Sequence, residues 1–292
     1  MAVTTRRTFL ATAAALGATA VIPRLVLGQE SATPGAPAPS LLAGLGLPEF
    51  TVTVTTDGLD FPAQTTAGTV LLRGINQTEG YAGLAFVQPP EGVTEDELVS
   101  SLGPEAGIPE WAHEGVMTGG VSLEPGMQGE VAFVLGPGAW YVLNIGEAFE
   151  VAPLTVTGEV AEVAIPADVE VEMSHHDFAM PAEIASGPGI WHVTNVDPVL
   201  HHMVLLSFPQ AVSEDEVLQA LMAQEGMGTP PAGLDLSQVG FIGECGLIST
   251  GQSNWLQFDL TPGTYAGVCY ITDPGSDVPH IAMGMVQVFT VS

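Results

Sequence analysis

"FTVTVTTDGLDFPAQTTAGTVLLRGIN", Phe50 to Asn76, lines up without a gap against "VEVEMSHHDFAMPAEIASGPGIWHVTN", Val169 to Asn195, at a constant offset of 119. The match continues outward. "TEDELVSSL" at Thr94 meets "SEDEVLQAL" at Ser213, and "GPGAWYVLN" meets "TPGTYAGVC" with Pro137 opposite Pro262, an offset of 125. Self-similarity over such a period marks a duplicated structural unit. The chain is therefore expected to hold two homologous domains, 47–158 and 163–292.

Each unit reads as mostly strand. "TVTVT" and "VEVEM" alternate with period two, the mark of a half-buried strand. "VAFVL", "AWYVLNI", "WLQFDL" and "MVQVFTV" are β-branched and aromatic runs bounded by Gly and Pro. Thr94 with Glu97, and Ser213 with Glu216, form capping boxes, so each unit is expected to carry one short helix. Many short strands separated by turns imply an all-β chain of two tandem Greek-key β-sandwiches. Trp140, Trp191 and Trp255 are expected in their cores.

The N-terminal "TTRRTFLATAAALGATAVIP" has Arg6 and Arg7 ahead of a short apolar run, and so resembles a Tat export signal. Residues 1–28 are expected to be that signal and 29–46 a Pro/Ala-rich linker, with a periplasmic or extracellular protein beyond. No other apolar run has membrane length. Past residue 28 the only Lys or Arg is Arg73, against 33 acids. Such a surface repels nucleic acid and anionic lipid. It serves solubility, or it is a docking field for a redox partner with a basic surface.

The stretch "VCYITDPGSDVPHIAMGM" near the C-terminus gathers a thiol, an imidazole and two thioethers: Cys269, His280, Met283 and Met285. Upstream, "NVDPVLHHMVLL" opens a strand with His201 six residues after Asn195. Each residue has an ordinary alternative. A histidine at a strand start is commonly hydrogen-bonded structure, a methionine in an apolar strand is commonly core, and Cys245 is available for a disulfide.

In order and spacing, these residues resemble the cupredoxin (blue, type 1 copper) family over most of the C-terminal unit. Gly263, Tyr265, Cys269, His280 and Gly284-Met285 follow that family's closing motif, and His201 its first histidine. The resemblance implies a cupredoxin-like fold for each unit. It also implies one type 1 copper, held by His201, Cys269 and His280, with Met285 favoured over Met283 as axial ligand. A thiolate and two imidazoles supply the trigonal set, and a thioether the long axial contact. The ten residues between Cys269 and His280 exceed the gap in small electron carriers and approach that of copper nitrite reductases.

In the first unit Ala82 stands opposite His201 and Asn144 opposite Cys269. The path from Asn144 to Val156 is also shorter than that from Cys269 to Val291. That unit is expected to keep the framework without the ligands, and to act in packing, docking or stability. Cys245 is expected to be an unpaired buried thiol. One of His175 and His176 could sit near the copper end, whereas His113 and His192 read as structural or solvated.

The functional expectation is a one-electron carrier outside the cytoplasm. The alternatives are a copper storage or delivery module and a metal-free binding domain. An oxidase or nitrite reductase is set aside, because no His-x-His occurs and Val268, not His, precedes Cys269.

Overall fold

The computed structural model describes residues 40–102, 108–146, 149–224, 229–276 and 278–292. The export-signal segment 1–28 and the spacer up to residue 39 lie outside the described residues. From Ser40 the chain is packed. Leu42 is fully buried in a seam with Leu47, Leu71, Ala132, Ile165 and Ile190.

Seventeen strands among the described residues form two layers, which hydrogen-bond to each other where residues 64–68 pair in parallel with residues 155–161. The first layer runs in the order β2 (Gly58–Asp60), β1 (Glu49–Thr55), β3 (Gln64–Asn76), β6 (Gln128–Leu135), β15 (Ser253–Leu260), β12 (Gly187–Asn195), β9 (Val169–Ser174) and β10 (Asp177–Ala179). The second runs β8 (Glu150–Ala161), β7 (Gly138–Asn144), β4 (Ala82–Gln88), β5 (Val116–Leu123), β14 (Gly240–Ile248), β13 (His201–Phe208), β16 (Gly263–Val268), β17 (Val286–Val291) and β11 (Glu183–Ile184).

The repeat in the sequence is a repeat in register. Phe50 pairs with Leu72 in parallel, and Val169 pairs with Trp191 in the same way 119 residues on. Val70 faces Phe133 as Gly189 faces Phe258. Ala85 faces Leu143 as Val204 faces Val268. Side-chain anchors repeat too. Asn76 Nδ2 donates to the carbonyls of Gly80 (2.8 Å) and Leu123 (3.1 Å), and Asn195 Nδ2 to those of Val199 (2.8 Å) and Ile248 (2.9 Å). Trp140 Nε1 donates to Gly136 O at 2.8 Å where Tyr265 Oη donates to Thr261 O at 2.9 Å. Buried amide and ring donors must find acceptors, so each anchor ties a loop to a strand end.

The two halves are joined by strand pairing between equivalent edges. Asn254 and Trp255 of β15 pair with Phe133 and Ala132 of β6, and Ile248 of β14 pairs with Thr118 of β5. Asn254 Nδ2 also donates to Thr118 O at 2.7 Å. Each half thus covers edges that would otherwise expose unpaired backbone groups.

Helix α1 (Glu95–Ser101) is capped by Thr94, whose hydroxyl accepts from Glu97 N–H at 3.2 Å. Helix α2 (Glu214–Gln224) begins with the reciprocal Ser213–Glu216 box. Trp140 and Trp191 are core residues as expected. Trp191 meets Phe258 at 5.2 Å and Phe289 at 5.7 Å between ring centroids, contacts worth about 0.5–1.5 kcal/mol each beyond their burial. Trp255 is only half-buried, because the seam leaves one face free for the His192 ring, stacked at 4.5 Å.

Candidate metal centre

Two strand ends and one loop of the second half converge. His201 opens β13, Cys269 directly follows β16, and His280 begins a 3-10 turn that ends at Met283. All three side chains are fully buried. His201 Nδ1 and His280 Nδ1 lie 3.0 Å apart. Cys269 Sγ lies 3.9 Å from the first and 3.5 Å from the second. A point about 2 Å from all three atoms exists inside this triangle, which suits the roughly 2.0–2.3 Å bonds of imidazole and thiolate to a first-row divalent ion. The three residues form a group that could hold a metal.

The loop carrying His280 is locked to the strand ends by backbone bonds. Cys269 N–H donates to Met285 O (3.2 Å), Ile281 N–H to Cys269 O (2.7 Å), His280 N–H to Ile271 O (2.7 Å) and Met285 N–H to His280 O (2.9 Å). Gly284, at φ +107°, ends the turn in a conformation that L side chains rarely adopt. The reversal leaves Met283 39% exposed and buries Met285 completely.

Burial sets the protonation states. It pushes the Cys269 thiol up to about 12, against the backbone N–H groups of His202 and Ile271, which favour the thiolate. It pushes His280 down to about 4, helped by the neighbouring His201, and it lowers His201 as well. Both imidazoles therefore present lone pairs at neutral pH, and the thiol keeps its proton until something replaces it.

The first half shows what happens without the thiol. Asn144 Oδ1 accepts from Gly83 N–H at 3.2 Å and from Gly146 N–H at 3.1 Å. At the repeat offsets Gly83 corresponds to His202 and Gly146 to Ile271, the two residues whose N–H groups meet Cys269. An amide oxygen occupies the thiol's place and receives the same two donors.

Several surrounding residues were not singled out from sequence. His202 is fully buried, and its Nδ1 lies 3.2 Å from Cys269 Sγ, a distance for N–H donation to sulfur. Asp197 stands 3.5 Å from His201 Nε2, and Asp273 Oδ1 3.1 Å from His280 Nε2. Carboxylates behind metal-binding imidazoles orient the rings and fix the tautomer. His176, one of the two residues held possible near this end, packs its ring 4.3 Å from that of His280. His175 contributes its backbone N–H to Asp197. His192 is paired with Glu170 at 2.7 Å. Half-buried His113 lies in the field of Asp273, although burial lowers its pKa. Cys245 and Cys269 are both free and buried.

No known sequence family matches the chain, and no curated protein matches it. Solved structures do. Auracyanin from the photosynthetic bacterium Roseiflexus castenholzii shares 23% identity, covering 42% of this chain and 94% of its own, at a TM-score of 0.28. A multicopper oxidase from Pediococcus acidilactici shares 13%, covering 85% of this chain and 59% of its own, at 0.26. The copper nitrite reductase of Nitrosomonas europaea shares 13%, covering 84% and 93%, at 0.24. Values this low transfer no activity, and the fold is a cupredoxin-like β-sandwich in its own strand registers.

These matches correct one expectation. An oxidase or nitrite reductase was set aside on missing motifs, yet structures of those enzymes align with most of the chain. The motifs test one placement of further ligands along the chain, and ligands converge in space from any placement, so their absence does not exclude an enzyme.

Proposed function

We propose that this is an exported copper protein of two cupredoxin-like domains, 47–158 and 163–292, whose second domain holds one type 1 copper and passes single electrons. His201, Cys269, His280 and Met285 would hold the copper. The observation that carries this reading is the donor triangle of 3.0, 3.5 and 3.9 Å, fully buried, with the thiol on one corner. Copper bound there would supply a one-electron couple.

The chain's own residues do the rest. The interlocked backbone of Cys269, His280 and Met285 holds the donors in one geometry, so little rearrangement accompanies a change of charge. His202 and two backbone N–H groups stabilise the Cys269 thiolate. Burial keeps water away. On loading, the thiol gives up its proton while the imidazoles are already neutral, so about one proton leaves per metal bound at pH 7.

The test is the visible spectrum of the copper-loaded full chain, with proton release followed in weakly buffered solution. An intense thiolate-to-copper band that disappears in Cys269→Ser is the expected result, because a hydroxyl does not replace that donor. A colourless loaded protein, or a band that survives Cys269→Ser, refutes the site. Nitrite reduction and oxygen-dependent oxidation are measured on the same sample. Turnover would make the same copper a relay inside an enzyme.

A further inference from the structure

The inner donors are sealed: His201, Cys269 and His280 are all fully buried. An ion that reaches them must pass what covers them, and two partly exposed side chains do so. The His176 ring stands 4.3 Å from the His280 ring and 6.0 Å from the His201 ring. The Asp273 carboxylate places one oxygen 3.1 Å from His280 Nε2 and the other 3.3 Å from His176 Nε2.

The His280 ring therefore belongs to two donor sets. Its Nδ1 faces inward to Cys269 and His201. Its Nε2 faces outward to Asp273 and His176, and donor atoms of these three residues lie within 4.8 Å of one another. The side chains of His176 and Asp273 are 27% and 31% exposed, so the outer set lies nearer solvent than the fully buried inner one. Two imidazole nitrogens and a carboxylate oxygen suit Cu(II) or Zn(II). His176 Nε2 is itself shielded from water and makes no hydrogen bond of good geometry, although the carboxylate is near.

The hairpin that brings His176 here is strained. His175 (φ 48°) and His176 (φ 60°) are the only non-glycine residues with positive φ among those described. A left-handed conformation crowds Cβ of an L residue against the backbone and is unfavourable unless the surroundings hold it. The equivalent turn of the first half, Thr56-Asp57, has no residue of this kind, and that half has Ala82 and Asn144 in place of His201 and Cys269. Strain that appears only where the donors appear points to a role for the hairpin at the site.

We propose that His176, Asp273 and the outer nitrogen of His280 form a second cation site at the surface, through which copper reaches the inner donors. This rests on the copper reading above. His176 and Asp273 capture the ion from solvent, with neutral His280 carrying its proton on Nδ1 so that Nε2 is free to bind. As the ion moves inward that proton passes to Nε2, which again donates to Asp273, and the Nδ1 lone pair is freed for the inner site. His176, which faces both inner imidazoles, then delivers it, and the Cys269 thiol loses its proton to solvent as the inner bonds form.

Rapid mixing tests this. The metal-free full chain is mixed with limiting Cu(II), and growth of the thiolate-to-copper band is followed. His176→Ala is expected to slow uptake about tenfold or more and to leave the final spectrum unchanged, with free imidazole restoring part of the rate. His192→Ala, which removes a histidine stacked on Trp255, is expected to keep the wild-type rate. Equal rates for His176→Ala and wild type overturn the outer site. Slowed uptake with an altered final spectrum overturns it too, because His176 would then be shaping the inner site. Failure of the copper reading looks different: the wild-type chain itself then develops no band, and both proposals fall.

Discussion

Burial pushes the Glu244 carboxyl up to about 7, where Ser122 of the first half donates its hydroxyl to it. Tyr81 Oη stands 2.5 Å from the same hydroxyl, and burial together with Glu244 raises its pKa. The folded-state carboxyl thus binds its proton more tightly than the unfolded one, whose ordinary value is 4.5. The stability this gives is present below about 4.5 and is lost as pH rises through about 7, at most roughly 3 kcal/mol because the residue keeps some exposure. Glu244→Gln is expected to raise the denaturant midpoint relative to wild type at pH 8 and to leave it nearly unchanged at pH 4.5. A difference of equal size at both pH values would show that the carboxyl does not titrate in this window. Nothing in "FIGECGLI" marks Glu244 as buried, because its environment is made by Ser122, more than a hundred residues away.

At the scale of elements, the loop between β16 and β17 decides which methionine is buried. Both methionines stand near His280 in sequence, but the left-handed Gly284 turns Met283 outward and Met285 inward. Met285→Leu is expected to retain the copper band and to raise the reduction potential by about 60–120 mV, one to two tenfold steps in a one-electron equilibrium. The direction follows from removing a donor that stabilises the oxidised ion more. Voltammetry of the loaded protein checks this, and the same shift in Met283→Leu instead would reverse the axial assignment. The extra length of this loop was legible by comparing the two halves. The strained tip of the β9–β10 hairpin was not, since His175 and His176 have no sequence preference for positive φ of the kind Gly has.

Across the whole molecule, acids outnumber Lys and Arg by 33 to 4, and the net charge is −29. If the proposed electron carrier meets a basic partner, the association rate should fall about tenfold or more between 10 and 300 mM salt, because the steering field is screened beyond roughly 8–10 Å at physiological ionic strength. Stopped-flow rates that stay flat would assign the acidic surface to solubility alone. The joining of halves through β5–β14 and β6–β15 belongs to this scale as well. It makes the first half a neighbour of the site. Gly83, Leu84 and Leu143 of that half and His202 line one small cavity, and His113 lies near Asp273.

The sequence by itself determined the repeat, the strand-rich character, the two capped helices and, through its resemblance to cupredoxins, the residues Cys269, His201 and His280 as a set. Each of these is written in local period, in fixed offset or in residue type at a spacing, and local rules read such features. Tertiary structure decided that Asn144 takes up the two backbone donors that Cys269 receives in the other half. It also decided that His202 faces the sulfur and that Asp273 and His176 stand behind His280. Those contacts join segments far apart in the chain, and no local period or spacing encodes a partner that only folding brings within 3–4 Å.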